Sequence, residues 1–240
     1  KRELASLETK LENSPYVCVV CTLRKDFIDD AIPENINKIE MNGFEVNTAE
    51  AIKKYFRFYK INPIDVTIPS GLLEHPLTLR IFCESTNPDR RETVGVEKIP
   101  GSLVEVFALY ITQIAERIVS LSSKDHRYYK DDIYRSLRII GLYLWENRCR
   151  DIELYALREI LHDNQLAWDK SIVRYLEQEG LLLRSSQRGA GTGYMSFAYD
   201  ALAGYIIAET LLETFDGNAF KTLLNSEETM QLFVGNWEIK

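Results

Sequence analysis

The stretch between residues 166 and 212 constrains the fold of this chain more than any other part of its sequence. Apolar residues first recur there at near-helical spacing, which predicts an amphipathic helix over 166–179. Gly180 would end this helix, and the LLLRSS that follows is typical of a short strand. The next segment, RGAGTG, holds three glycines within five residues. Glycine brings no side chain to pack, so this segment predicts a tight turn or a flexible tip.

After the glycines, YMSFAY predicts a second strand and DALAGYIIAETLL predicts another helix. Helix, strand, glycine tip and strand is the order of elements in a winged helix. The segment 151–162, DIELYALREILH, supplies the helix that should precede them. We therefore predict a winged helix in this part of the chain, and its function has to be argued separately.

A winged helix first raises the question of DNA binding. The helix that would enter a major groove carries Asp169, Glu177 and Glu179 against only two basic residues, Lys170 and Arg174. Helices that read a groove face phosphates and normally carry a surplus of basic residues. The whole chain has 29 basic and 36 acidic side chains, a formal net charge of -7. The sequence therefore disfavours nucleic acid as a partner, and we interpret the wing as a structural or regulatory module.

The length of the chain and its apolar runs indicate how many cores it can form and where it is located. The 240 residues suffice for one or two cores. No run approaches the ~20 apolar residues of a membrane span, and no signal peptide pattern is present, so we predict no membrane partner and a cytoplasmic location. The chain begins at Lys1 and opens directly in a helical pattern, which we interpret as a piece of a longer protein.

Four cysteines predict free thiols in a reducing compartment rather than disulfides. Cys18 and Cys21 form a C-x-x-C, but they fall in a segment that predicts a strand. An offset of three residues in a strand puts two side chains on opposite faces, so these thiols would not share one zinc ion. We predict no metal site.

The first forty residues predict half of an α/β unit. Residues 1–13 have a helical stripe, and after a Ser-Pro break comes YVCVVCTLR, residues 16–24. Six consecutive apolar residues predict a strand buried on both faces, as in parallel sheets. It ends in Thr22 and Arg24, and open α/β sheets place ligand groups at the carboxyl ends of strands. The alternative is that Arg24 only tops the strand and pairs with an acid.

The next part of the sequence predicts one short strand followed by several helices. Residues 44–46 predict a short return strand, and Asn47 with Glu50 predicts a capped helix. Its aromatic face is interpreted as core. A further helix is expected to begin at about His75, because Pro76 is tolerated only in a first turn. The segment 86–101 has two prolines, two glycines and no stripe, which predicts a boundary. Two long apolar stripes then predict helices over 102–121 and 131–147.

Catalytic motifs are absent from the sequence. Its three histidines, His75, His126 and His162, lie in unrelated contexts, without an H-E-x-x-H motif or a nucleophile elbow. There is also no G-x-x-x-x-G-K-[ST] phosphate cradle. Taken alone, the chain shows no hydrolytic site.

The order of these elements resembles the second half of a STAND NTPase module of the NACHT and NB-ARC type, and the bacterial antiviral branch is most similar. The motifs that carry the resemblance are T-x-R, F-x-V, L-x-x-x-P-L-x-L-x-x-x-C and the closing F-x-Y-D, and they cover residues 1 to about 215. The resemblance implies a mostly α fold. The edge of a parallel α/β nucleotide-binding domain (1–46) would precede a small helical domain (47–98), a winged-helix domain (99–215) and the start of a further helical region (216–240).

The resemblance also implies site residues. The family's T-x-R strand end faces the nucleotide phosphates, which assigns Thr22 and Arg24 to that role, and Pro76 would contact the adenine. The histidine that closes the family's winged helix reads the β-phosphate of ADP, and Tyr199 stands in its place. A tyrosine hydroxyl can donate to a phosphate but brings no switchable positive charge. Gly204 replaces an acid often found in the next helical turn.

The function implied is a nucleotide-dependent switch in defence signalling, directed against phage. ATP and ADP would be the cofactors, with Mg²⁺ in the parent protein. The partners would be further copies of the same protein and a protein trigger such as a phage protein. The Walker A and Walker B segments, expected before Lys1, are missing, so the parent would be an ATPase while the activity of this chain stays open. The alternatives are a winged-helix DNA-binding module and a protein scaffold.

Overall fold

The computed structural model of the protein describes residues 43–123, 125–186 and 193–215, together with isolated residues among 1–42 and 216–226. Its described part is mostly helical, with short strands in two small sheets, which confirms the mostly α class. The chain divides into two compact units, one before and one after the junction of Gly43 and Phe44. The domain boundaries given above stay predictions.

In the first unit, Ser6 and Leu11 are helical. Tyr16, Val17 and Val20 belong to the predicted buried strand, yet they lie in no strand and are at least half exposed. The prediction is wrong at these three positions. A strand of this type is covered by neighbouring strands and helices, and the exposure of these three side chains shows that they are not covered in this way.

The other predictions for this unit fall on residues of which the structure describes nothing. Thr22 and Arg24 lie outside the described residues, as do Cys18 and Cys21. Their proposed roles therefore stay predictions.

The second unit opens with a 3-10 turn, Glu45–Asn47, where a strand was predicted. Gly43 (φ 116°) and Glu45 (φ 46°) turn the backbone away from the extended conformation. Helix α1, Thr48–Tyr59, follows at once. The predicted capping box is wrong, because Asn47 is already near-helical in its backbone (φ -93°, ψ 4°) and makes no side-chain cap. Glu50 instead pairs with Lys54 Nζ at 2.7 Å.

A two-stranded parallel sheet joins the segments around the next helices. Strand β1 is Ile61–Pro63, helix α2 is Ser70–Leu73, helix α3 is Pro76–Thr86 and strand β2 is Val94–Val96. The segment 86–101 was predicted to be a boundary, and it contains strand β2. Three residues are too few to show a period-2 pattern, so the sequence does not reveal this strand. It is held by pairing with β1 and by the side chain of Asn87, whose Nδ2 donates to Tyr59 O at 2.8 Å.

Two long helices form the middle of the chain. Helix α4 is Leu103–Leu121 and helix α5 is Lys130–Asn147, which confirms both predicted helices to within one residue. Ser102 Oγ accepts from the Glu105 N–H at 3.2 Å and caps α4. The apolar stripe of α4 is buried at Val106, Phe107, Tyr110, Ile111, Ile114, Ala115 and Ile118.

The second sheet is antiparallel, in the order β3-β5-β4. Its elements and their neighbours are β3 (Asp151–Glu153), α6 (Leu154–Ile160), a 3-10 turn (Trp168–Lys170), α7 (Ile172–Gln178), β4 (Leu182–Ser186), β5 (Gly193–Phe197) and α8 (Asp200–Thr214). The two strands predicted on either side of the glycine segment are thus present. The glycine segment itself, residues 187–192, lies outside the described residues.

Two predicted helices in this region need correction. The helix over 151–162 begins only at Leu154, because the three residues before it pair with β5 as strand β3. The helix over 166–179 is split into the 3-10 turn and α7. Ser171 separates them in an extended conformation (ψ 133°), where its hydroxyl donates to the carboxylate of Asp163. Apolar spacing alone does not reveal such a side-chain cap.

Candidate functional site

Pro76 occupies the first position of α3. The preceding residue, His75, is the N-cap, and its Nδ1 accepts a hydrogen bond from the Leu77 N–H at 3.3 Å. Proline fits this position because the N–H that it lacks would have no partner within the helix. The predicted start of this helix is therefore confirmed. Pro76 is half-buried.

Tyr199 lies between β5 and α8, as the extended N-cap residue of the helix (φ -138°, ψ 133°). In β5, Met195 and Phe197 are buried in the core. Tyr199 follows two residues after Phe197, is half-buried and packs against the edge of that core. Its ring is thus neither a fully enclosed core residue nor a free surface side chain.

Arg80 connects the two predicted residues. It lies one helical turn after Pro76 on α3, and its guanidinium interacts electrostatically with Tyr199. Arg80 Nε donates to Glu84 Oε1 at 2.8 Å. Hydrogen bonding and charge attraction from Glu84 raise the pKa of Arg80, with a smaller contribution from Tyr199. Arg80, on α3, and Tyr199, which precedes α8, are therefore within electrostatic range of each other.

Two further tyrosines join this group. Tyr59 Oη donates to Glu84 Oε1 at 3.2 Å, and burial together with Glu84 raises the pKa of Tyr59 to about 12. Burial also raises the pKa of Tyr110 to about 12, with contributions from Tyr199 and Glu84. Both phenols are neutral near pH 7 and can donate hydrogen bonds. We call these five side chains the Arg80 cluster: Tyr59, Arg80, Glu84, Tyr110 and Tyr199.

The Arg80 cluster can recognise an anion. A guanidinium has five N–H donors, and the ion pair with Glu84 engages the one on Nε. The side chain of Arg80 is 55% exposed, so its remaining donors can be reached by a ligand. Glu84 neutralises the charge of Arg80 in this arrangement, which means that an anion would compete with Glu84 for the guanidinium.

Among the described residues, no reactive thiol adjoins the cluster. Cys83, beside Glu84 in the sequence, is fully buried, and burial raises the pKa of its thiol to about 12, which keeps it protonated. Within the part of the chain that the structure describes, no three metal-ligating side chains converge on one point. Recognition is the chemistry that these residues support.

Arg80 is the residue that sequence reasoning missed. The available signal was its spacing, because residues four apart share one face of a helix and Pro76 was already a predicted site residue. Its neighbours Tyr59 and Tyr110, from other elements, have no comparable signal in the sequence.

Two arginines near the helix that would read DNA in a winged helix are paired with acids of that region. Arg184 Nη2 pairs with Glu177 Oε2 at 3.0 Å. Arg117 Nε, from α4, pairs with Glu179 Oε2 at 2.6 Å. Arg174 Nη1 donates to the backbone oxygen of Asp169 rather than standing free. Phosphates would have to displace these partners.

We therefore expect no salt-sensitive retention of duplex DNA by this chain. In an electrophoretic mobility assay near about 150 mM salt, the DNA should migrate as it does without protein. A shift at that salt concentration, lost on the double substitution Lys170→Glu and Arg174→Glu, would overturn this expectation.

No protein-family model, curated protein or solved structure matches this chain. Among the helices that the structure describes, none combines the length and the apolar character needed to cross a bilayer.

Proposed function

We propose that this chain is the nucleotide-reading segment of a STAND-type ATPase switch. The observation that supports the proposal is the electrostatic interaction of Arg80 with Tyr199 in a group that also includes Glu84 and two neutral tyrosines. Pro76, one turn before Arg80, and Tyr199 are the two described positions that the resemblance assigns to nucleotide contact, and they belong to distant parts of the sequence. Arg80 and Tyr199 belong to the same anion-competent cluster although they are far apart in the sequence.

The element order supports the finer architecture. Helix α5, strand β3, helices α6 and α7 and strands β4 and β5 follow the order of a winged helix, with β5 in the centre of the sheet. In the proposed architecture, residues 47–98 form the small helical domain and 99–215 the winged-helix domain. The Arg80 cluster then draws one side chain from the end of the wing and four from the helices before it.

The residues present include a positive charge that fits a phosphate-bearing ligand, and the sequence alone had not identified it. Tyr199 brings no positive charge, and Arg80 supplies one beside it. ADP or ATP, when bound, supplies phosphate oxygens that accept charge-assisted hydrogen bonds, accompanied by Mg²⁺ in the parent protein. On this proposal, Arg80 and the Tyr199 hydroxyl donate to those oxygens, and Pro76 packs against the base.

The ion pair between Glu84 and Arg80 would allow this arrangement to act as a switch. Because the Arg80 guanidinium is paired to Glu84, its charge is balanced within the cluster. Moving a two-state equilibrium from mostly closed to mostly open takes roughly 5.5 kcal/mol of differential binding. One charged hydrogen bond contributes roughly 1.5–3 kcal/mol, so the Arg80 cluster would supply part of that difference and inter-domain contacts the remainder. The output would be self-association after a protein trigger.

The substitution Arg80→Ala in the full natural protein is expected to weaken ADP binding about tenfold, because one charge-assisted contact is lost. Glu84→Gln should have the opposite effect, since it frees the guanidinium while keeping the shape of the side chain. Tyr199→Phe removes one neutral donor and should weaken binding about fivefold. Isothermal titration calorimetry measures all three.

Arg135→Ala is the matched control, because Arg135 is an exposed arginine on α5 whose nearest acid lies 4.0 Å away. It should bind ADP like the wild type. If Arg80→Ala also binds like the wild type and melts at the same temperature, the cluster does not contact the nucleotide. If the wild type does not bind ADP at all, the switch proposal fails and a scaffold role is favoured.

A further inference from the structure

A cleft of about 290 Å³ opens between α4, α5 and α8, and it shares no side chain with the Arg80 cluster. Its floor is apolar, formed by Ile111, Leu137 and Ile206, all of which are buried in the core. Clefts near this size bind small molecules when a few polar groups converge on an apolar lining. The chemistry of the ligand is then set by those polar groups.

The polar part of the lining includes two tyrosines and two glutamates: Tyr134, Tyr205, Glu209 and Glu213. Burial raises the pKa of the Tyr205 phenol, and Glu209, Tyr134 and Glu213 add to the shift. Both carboxylates are therefore within electrostatic reach of this hydroxyl. Tyr134 Oη lies 3.1 Å from Thr112 Oγ1, which holds the Tyr134 side chain against α4.

The charges in the cleft do not cancel. Among the described residues that line it, Arg138 is the one cation, and its Nε pairs with Glu213 Oε2 at 2.6 Å. That pair leaves the carboxylate of Glu209 as the surplus charge. An anionic ligand would be repelled by it. A cation would gain both a carboxylate partner and the faces of aromatic rings.

We propose that this cleft binds a small organic cation, an ammonium or guanidinium group attached to an apolar or aromatic body. The body would rest on the floor of Ile111, Leu137 and Ile206, and the charge would lie against Glu209 and the ring of Tyr205. A free amine and the side chain of an arginine or lysine both have this chemistry. The cleft shares no lining residue with the Arg80 cluster.

Calorimetric titration with phenethylamine tests the proposal, and 2-phenylethanol serves as the neutral ligand of similar shape. The amine is expected to bind about tenfold more tightly than the alcohol. Glu209→Gln should weaken amine binding about tenfold and leave binding of the alcohol unchanged. Glu209 is exposed at the cleft mouth, so the substitution should not affect folding. Glu146→Gln, an exposed glutamate elsewhere on α5, is the matched control.

A third titration, with Nα-acetyl-arginine amide, separates the two sources of the cation. Tighter binding of the arginine derivative than of phenethylamine assigns the cleft to a protein side chain, and the reverse order assigns it to a free amine. Equal binding of amine and alcohol would overturn the proposal, as would a Glu209→Gln variant that binds like Glu146→Gln. The absence of binding by both cations at millimolar concentration would also overturn it.

Discussion

Replacing Asp163 by alanine is expected to lower the free energy of unfolding by about 3 kcal/mol, because buried donors would lose their acceptor. Asp163 is 2% exposed. Its carboxylate accepts from the Ser171 hydroxyl and from the Ile172 N–H, at 3.4 Å for the latter. Arg158 Nε lies 3.8 Å from Oδ2 and has no hydrogen-bond partner of its own. Alanine would leave these three groups uncompensated at the start of α7.

The effect should also depend on pH. Burial raises the pKa of Asp163 above its ordinary value of 3.8, although Ser171, Ile172 and Arg158 oppose the shift. Because the pKa is higher in the folded state, this carboxyl contributes its full stability below 3.8 and loses part of it as the pH rises through the folded pKa. The difference between wild type and Asp163→Ala should therefore be larger at about pH 4 than at about pH 7.

Urea denaturation at both pH values measures these free energies. Asp169→Ala is the matched control, because Asp169 lies in the same connection but is exposed, and it should change stability by no more than about 0.5 kcal/mol. If Asp163→Ala is no more destabilising than Asp169→Ala, the buried carboxylate does not hold α7 in place. A difference that grows with pH would contradict the sign of the pKa shift.

Asp163 also shows why part of this fold could not be predicted from the sequence. The helices α4 and α5 could be predicted, since long apolar stripes decide both their type and their ends. The start of α7 could not, because the cap comes from Asp163, outside the local window in which capping motifs are recognised. Strands β2 and β3 were missed for a similar reason: each is three residues long and is stabilised by a distant partner strand.

The candidate site, too, could be predicted from the sequence only in part. Pro76 could be placed at the start of α3, because proline is restricted to the first turn of a helix. The role of Tyr199 as the residue before α8 followed from the strand and helix patterns on either side. Their connection through Arg80 is an electrostatic interaction between α3 and the residue before α8. Neither spacing nor composition contains that information, so the anion-competent cluster emerges only from the structure.

The substitution Gly141→Val is expected to cost about 2 kcal/mol of stability, because it overpacks the contact between α5 and α8. A Cβ at Gly141 would lie 2.9 Å from Thr210 Oγ1, 3.2 Å from Ile206 Cγ2 and 3.4 Å from Ile206 O. Thr210 Oγ1 already donates to Ile206 O at 2.7 Å, so rotating away costs a hydrogen bond. The higher helix propensity of valine offsets only a few tenths of a kcal/mol, about the difference between Gly and Val.

The substitution Gly204→Val distinguishes the effect of packing on stability from the effect of helix propensity. Gly204 lies on α8, and a Cβ added there would have no other atom within 4 Å, so the substitution should be neutral or slightly stabilising, by roughly 0.3 kcal/mol. Gly141→Ala should fall between wild type and Gly141→Val. Thermal and urea denaturation of the three variants measure the series. Equal stability of Gly141→Val and Gly204→Val would mean that α5 and α8 can move apart without a loss of stability. The close approach of these two helices would then not determine the position of Tyr199, the N-cap residue of α8.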